Sequence, residues 1–180
     1  MPIDTQNISF RPVTPDDYPV LRTWLDSPHL RRWWGEPEVE LGYIRDMVEG
    51  RDTTHPFIIL LDGAPVGYIQ YWHVGHHQNE DWIADHPWLA EFLPETVGVD
   101  ISIGEENMLS KGIGSAALCA FTRMLREQGH TTIIIDPDPN NRRAIRAYEK
   151  AGYRPIPHLA GRTGDCLLMQ HGENTKEIPS

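Results

Sequence analysis

The stretch Val97-Gly98-Val99-Asp100-Ile101-Ser102-Ile103-Gly104, followed by Lys111-Gly112-Ile113-Gly114-Ser115-Ala116 and an amphipathic run to Gln128, decides how this chain is read. Val97, Val99, Ile101 and Ile103 recur at every second residue, which predicts a strand with one apolar face. Ile113, Ala116, Ala117, Ala120, Phe121, Met124 and Leu125 recur at helical spacing, which predicts a helix packed along one stripe. Between them lies a tight glycine turn. Gly112 and Gly114 carry no Cβ, so a ligand can come close to the backbone there. The helix that follows begins with unpaired N–H groups and a partial positive charge, a ready site for a pyrophosphate, and Lys111 adds a cation. The turn by itself is equally compatible with an ordinary β–α connection. It is not a phosphate loop of the Gly-Lys-Ser/Thr kind. It is not a dinucleotide fingerprint either, because Gly104 and Gly112 stand too far apart.

Charge is distributed unevenly around this centre. The net charge of the 180 residues is -10, and no Lys or Arg occurs from Asp52 to Ser110. The same window holds Asp52, Asp62, Glu80, Asp81, Asp85, Glu91, Glu95, Asp100, Glu105 and Glu106. Basic residues collect later, at Arg142, Arg143, Arg146, Lys150 and Arg154. An acidic half attracts a cationic partner and a basic half an anionic one, unless both are plain solvated surface. Binding to nucleic acid is disfavoured, since most of the surface repels phosphates. No run reaches the ~18 apolar residues of a membrane span, and Met1-Pro2-Ile3-Asp4 lacks the basic start of a secretion signal. Cys119 and Cys166 form no pattern, and Cys119 is expected as a small core residue, so a cytoplasmic location is expected.

Taken in order, Ile8 to Val13 reads as a strand. A helix then begins at Thr14-Pro15-Asp16-Asp17 and ends near Ser27-Pro28. His29 to Trp34 is a short aromatic piece, and Glu38 to Glu49 a second helix. Pro56 to Leu61 and Pro65 to His73, joined by Asp62-Gly63, read as a hairpin. Gly75 to Glu95 is irregular, with a short helix near Trp88, and a loop of that length is more often functional than filler. After the central strand and helix come a strand at Thr131 to Asp136, a helix at Asn141 to Ala151, and final strands at Tyr153 to Pro157 and Cys166 to Gln170. His171 to Ser180 is expected to fray. The order predicts one α/β domain over residues 1–180, its core about 8–170, built on a mixed sheet.

Two motifs occur in the right order and spacing to identify a resemblance. The central strand–turn–helix, with Asn141-Arg142-Arg143-Ala144-Ile145-Arg146-Ala147-Tyr148-Glu149-Lys150-Ala151-Gly152-Tyr153, resembles the GCN5-related N-acetyltransferases (GNAT). Trp33-Trp34-Gly35, Gly67-Tyr68-Ile69-Gln70, Gly98-Val99-Asp100, Lys111-Gly112-Ile113-Gly114 and Asp136-Pro137-Asp138-Pro139 bring it nearer to the aminoglycoside 6′-N-acetyltransferases. One departure stands at Leu109, where the family places Gln or Arg three residues before the first turn glycine. The resemblance implies a mixed, mostly antiparallel sheet flanked by helices, with splayed central strands.

It also implies a chemistry, the transfer of an acetyl group from acetyl-CoA to an amine of a cationic aminoglycoside, with resistance as the outcome. In that scheme the strand at Ile101, Ser102 and Ile103, the turn at Lys111, Gly112, Ile113, Gly114 and Ser115, and Asn141 with Ala144 hold acetyl-CoA. Tyr148 gives a proton to the leaving thiolate, or else packs its helix on the sheet. Asn141 binds the pantetheine arm, caps the helix, or does both. The acceptor arrives as a cation, and a carboxylate must bind it and take its proton. Asp81, Asp100 and Asp136 are the candidates, although Asp136 could serve a turn and Asp81 plain surface. Trp33, Trp34, Tyr71 and Trp82 offer aromatic walls for sugar rings, or core packing. His73, His76, His77 and His86 fit no standard metal-ligand spacing, and no metal is expected. Other readings keep the fold and take a siderophore-type amine or hydroxylamine, a polyamine or a protein N-terminus, or they bind CoA or an antibiotic without turnover. A monomer or a homodimer is expected.

Overall fold

A computed structural model describes residues 4–172. Strand β1 is Ile8–Pro12, followed by helices α1 (Tyr18–Asp26), α2 (Pro28–Arg31) and α3 (Pro37–Val48). Strands β2 (His55–Leu61) and β3 (Ala64–His73) form the hairpin around Asp62-Gly63. A short helix α4 (Glu80–Asp85) precedes β4 (Val97–Ile103) and the long helix α5 (Ile113–Glu127). Then come β5 (Ile133–Ile135), α6 (Arg142–Lys150), β6 (Tyr153–Pro155) and β7 (Met169–His171). The sheet order is β1-β2-β3-β4-β5-β7-β6, and β4 with β5 is its parallel pair. The mixed, mostly antiparallel sheet expected from the sequence is therefore present.

Two apolar layers cover the sheet. Val97, Val99, Ile101 and Ile103 of β4 meet Ile113, Ala117, Leu118, Phe121 and Leu125 of α5. Phe121 makes edge contacts with Phe10 and Phe57, at ring distances of 5.1 and 5.5 Å. Each fully buried Val, Ile, Leu or Phe side chain among them contributes about 1.5–3 kcal/mol. On the other face, Leu21, Trp24, Leu25, Leu30, Leu41 and Ile44 from α1–α3 pack on Ile58 and Tyr68. The entry to α1 is tied down by Asp17, which accepts two 2.8 Å bonds from Arg11 and one from the Thr14 N–H.

Three expectations change here. Cys119 is exposed, because it falls between the buried positions Leu118 and Phe121 on the outer side of α5. His171 belongs to β7 and pairs with Tyr153; residues 173–180 of the expected fraying tail lie outside the described residues. The tract from Gly75 to Glu95 holds the expected short helix, as a 3-10 turn at Pro87–Glu91, and in addition α4 and a 3-10 turn at Val74–His77.

Helix α5 and strand β6 share one buried polar bond, Thr122 Oγ1 to Tyr153 Oη at 2.7 Å. Tyr153→Phe leaves the Thr122 hydroxyl unpaired in the core. The expected cost is about 1–3 kcal/mol, read from chemical denaturation. An unchanged midpoint would mean that this bond gives no net stability.

Candidate active site

The site begins where two strands part. β4 registers with β5 at Val97↔Ile133 and Gly98↔Ile134, while it stays paired with β3 as far as Ile103. From Val99 onward the β5 side of β4 faces a cleft. This is the splay that the resemblance implied.

One arm of the cleft is a cavity of about 370 Å3 at the start of α5. Gly112 precedes α5 at φ 83°, a conformation that favours glycine, and no side chain caps the helix there. Gly112, Gly114 and Ser115 line the cavity with Ile101, Ser102 and Ile103. Ile113 is buried beneath and offers its backbone alone, while Lys111 stands exposed beside the cavity. Opposite runs α6. Its cap is Asn141, whose Oδ1 accepts the Ala144 N–H at 3.2 Å. Asn141 and Ala144 line the cavity, and so do three residues that the sequence reading did not assign to it: Arg143, Arg146 and Lys150. Their spacing on one helix is the signal that could have found them. A lip from α2 closes the end, where His29 Nε2 lies 2.9 Å from the Ile103 carbonyl.

The other arm is an acidic and aromatic hollow made of two adjoining cavities. Trp33, Trp34, Glu40, Gln70, Asp100, Asp136, Asp138 and Tyr148 line the nearer one. Trp72, His77, Trp82, His86 and Trp88 line the farther one, which Asp100 and Asp136 also reach. Ile101, Asn141, Tyr148, Trp33 and Trp34 face both arms.

Sequence alternation explains which expected residues arrive. Gln70 and Trp72 point from β3 to the same side as Asp100, so Tyr71 between them points to the opposite side. Tyr71 stacks on His55 at 4.5 Å and packs near Phe121, away from the hollow. Asp81 is exposed in the first turn of α4 and lines neither arm, although its neighbour Trp82 does. The histidines divide in the same way. His73 lies near His55, His76 and His130 on the Tyr71 side, whereas His77 and His86 flank Trp82. Among the described residues, no group of three His, Cys, Asp or Glu is arranged to hold a metal ion.

Electrostatics separates the titratable groups. Burial, followed by the nearby Asp100 charge, pushes Asp136 up to about 8. Burial also raises Asp100, opposed by the hydrogen bond from Gln70 and by the nearby Trp72 indole. Glu40 is raised by burial and by Asp100. Burial and the charges of Asp100 and Asp136 hold the Tyr148 phenol well above its ordinary value, so it keeps its proton at neutral pH. The hollow thus holds one ionised carboxylate more readily than two, next to a protonated phenol.

Comparison with known proteins agrees with this geometry. The acetyltransferase (GNAT) domain model matches residues 14–160. The chain is 32% identical over a 184-residue alignment to an aminoglycoside N(6')-acetyltransferase type 1 of Klebsiella pneumoniae, covering 96% of this chain and 88% of that one. It is 27% identical to an N(6)-hydroxylysine O-acetyltransferase of Escherichia coli, over 86% of this chain and 50% of the relative. Among solved structures it is similar to AAC(6')-Ib in complex with parmomycin and acetyl-CoA. That match has a TM-score of 0.78 and 26% identity, and it covers 97% of this chain and 100% of the other. It is also similar to the same enzyme with coenzyme A and kanamycin, at a TM-score of 0.74 and 28% identity, covering 92% of this chain and 95% of the other.

Asp136 supplies a pH test. Its folded value of about 8 lies above the ~3.9 of a free Asp, so the folded state binds more protons between those limits. Stability then falls as pH rises through that window. Asp136→Asn should match the parent near pH 4 and melt at least ~3 °C higher at pH 8. Parallel melting curves for the two proteins across this range would remove Asp136 as a buried acid.

Proposed function

We propose an activity on the premise that the chain belongs to the GNAT acetyltransferase family: it transfers the acetyl group of acetyl-CoA to an amine of a cationic aminoglycoside, at the 6′ position, and so confers resistance. One observation carries the reading. Tyr148, Ile101 and Asn141 face both a cation-lined cavity at a helix N-terminus and an acidic, aromatic hollow, so a donor and an acceptor can meet there.

The donor arm suits acetyl-CoA. The amides at the start of α5 and the cations Arg143, Arg146 and Lys150 suit a pyrophosphate and its neighbouring phosphates. The parted edge of β4 at Ile101 to Ile103 leaves backbone groups for the pantetheine arm and the thioester. The acceptor arm suits a polycation. Asp100 and Asp138 supply negative charge, Glu40 and Asp136 add carboxyl groups for hydrogen bonding, and Trp34 and Trp82 supply flat walls for sugar rings.

In the reaction, the acceptor amine gives up a proton, directly or through water, to the Asp100 carboxylate. Its nitrogen attacks the thioester carbonyl carbon and forms the amide bond. The carbon–sulfur bond breaks, and the thiolate takes the Tyr148 phenolic proton. The second proton of the attacking nitrogen, released as the amide forms, returns to the Tyr148 phenolate. Asp100 fits the role of base better than Asp136, because the neutral Gln70 amide donates to it at 2.9 Å and favours its ionised form. Asp136, protonated over more of the neutral range, holds the acceptor by hydrogen bonding. Asp81 could add surface attraction for the polycation. The chain works as a single cytoplasmic domain, monomer or homodimer. Its two cysteines are free, and among the described residues no helix is long and apolar enough to cross a membrane.

Thiol release from acetyl-CoA, followed with kanamycin, with spermidine and with a hydroxylamine, tests the acceptor. Rapid release with kanamycin alone is expected, and release with the others alone would move the reading to those acceptors. Tyr148→Phe should lower kcat about 100-fold while CoA binding, measured by calorimetry, stays within about twofold. Unchanged turnover would remove Tyr148 as the acid.

A further inference from the structure

We propose that Trp72 is a positioning residue for Asp100, donating its indole N–H to that carboxylate, and that Gly98 is the gap on β4 through which the ring reaches it. The register of β3 against β4 sets Gln70 opposite Asp100 and Trp72 opposite Gly98, so all four share one face of the sheet. A Cβ on Gly98 would stand 2.3 Å from two ring carbons of Trp72 and 2.7 Å from its nitrogen. The indole therefore occupies the space that a side chain at Gly98 would take, against the bare backbone of β4. Gly98 has no positive φ, so glycine is needed there for space rather than for backbone conformation. From that position the indole nitrogen stands over Gly98, two residues from Asp100 on the same face, and Trp72 and Asp100 line one cavity, which puts the N–H on the carboxylate's side.

A second donor completes the clamp. Gln70 Nε2 gives a 2.9 Å bond to Asp100, and the Tyr68 hydroxyl fixes the Gln70 amide by donating to its oxygen at 2.6 Å. Both donors to Asp100 are neutral and favour the ionised carboxylate. The other groups around Asp100 act against ionisation or hold no fixed charge. Glu40 faces it from α3, and Asp136 and Asp138 from the end of β5. Tyr148 faces it from α6, and His77 and His86 lie across the farther cavity. Without the indole N–H, Asp100 keeps its acidic neighbours and loses one of its two donors.

The role of Asp100 as base rests on the proposed acetyl transfer, but the hydrogen bond can be measured without an acceptor. Protein labelled with 13C at the Asp carboxyls is titrated by NMR, with Asp100→Asn assigning the signal. In Trp72→Phe the Asp100 titration should move up by about one unit, and Gly98→Ala should move it the same way. Because Gly98 acts through the indole, the double variant should titrate like Trp72→Phe alone. In kinetics, the acid limb of kcat/KM for kanamycin should shift upward by the same amount, with KM for acetyl-CoA unchanged. A lower melting temperature with an unmoved titration in Trp72→Phe would overturn the proposal and leave Trp72 as a wall. So would a Gly98→Ala shift that persists in full without the indole. A parent protein that acetylates no aminoglycoside would refute the proposed function, while the carboxyl titration would still decide the clamp.

Discussion

The site depends on the short length of the β4–β5 pairing. Two registered positions hold the parallel strands together, and then β5 stops at Ile135. Pro137 has no N–H with which to continue the ladder. Its carbonyl instead accepts the Leu167 N–H at 2.9 Å, which draws the chain toward β7. β4 meanwhile continues to Ile103 under the cover of β3. A strand held on one edge and open on the other exposes backbone polar groups, which must find partners. In this fold that requirement becomes a binding property, since the open edge runs from the carboxylates to the start of α5.

The two arms of the cleft differ in sign because their charges come from different parts of the chain. The window from Asp52 to Ser110 carries no Lys or Arg and supplies Asp100, whereas α6 supplies Arg143, Arg146 and Lys150. Tyr148, on the same helix, points inward between them and is buried. A phenol in that place feels the carboxylates rather than the arginines, which stiffens its hold on the proton. A phenol held this tightly stays protonated at neutral pH and is a weaker acid than a free tyrosine, so it yields its proton only as negative charge develops on the sulfur beside it. The same burial that keeps Tyr148 protonated prevents Asp100 and Asp136 from both carrying charge without a cation between them.

Local chemistry was legible in the sequence, and strand phase was not. The glycine turn, the Asn141 cap and the Asp62-Gly63 hairpin each rest on a few adjacent residues, and each stands where the pattern put it. The face of β3 was a different matter. Helices and loops cover that strand on both sides, so its apolar residues do not alternate with polar ones. Residue type alone favours the aromatic ring of Tyr71 as a binding wall, whereas the strand phase turns Gln70 and Trp72 toward Asp100. In the tract from Gly75 to Glu95 no periodicity was available to place Asp81. Its one local signal was Asn79, which caps α4 by accepting the Trp82 N–H at 3.1 Å.

Steric need at β4 was hidden for the same reason, because it arises between strands and helices distant in sequence. Residues 98, 100, 102 and 104 share one face of the strand line. At one end of that face Gly98 carries the Trp72 indole; at the other, a Cβ on Gly104 would stand 2.2 Å from the ring of Trp24. Trp24 is itself fixed, donating from Nε1 to Glu105 at 3.0 Å. Two rigid indoles thus lie across the ends of the strand, and Asp100, its one ionisable residue, stands between them. A longer side chain at either glycine would lift an indole and widen the space around the carboxylate. The two glycines therefore act on the chemistry through the rings they admit, and a reading by residue type has no means of seeing it.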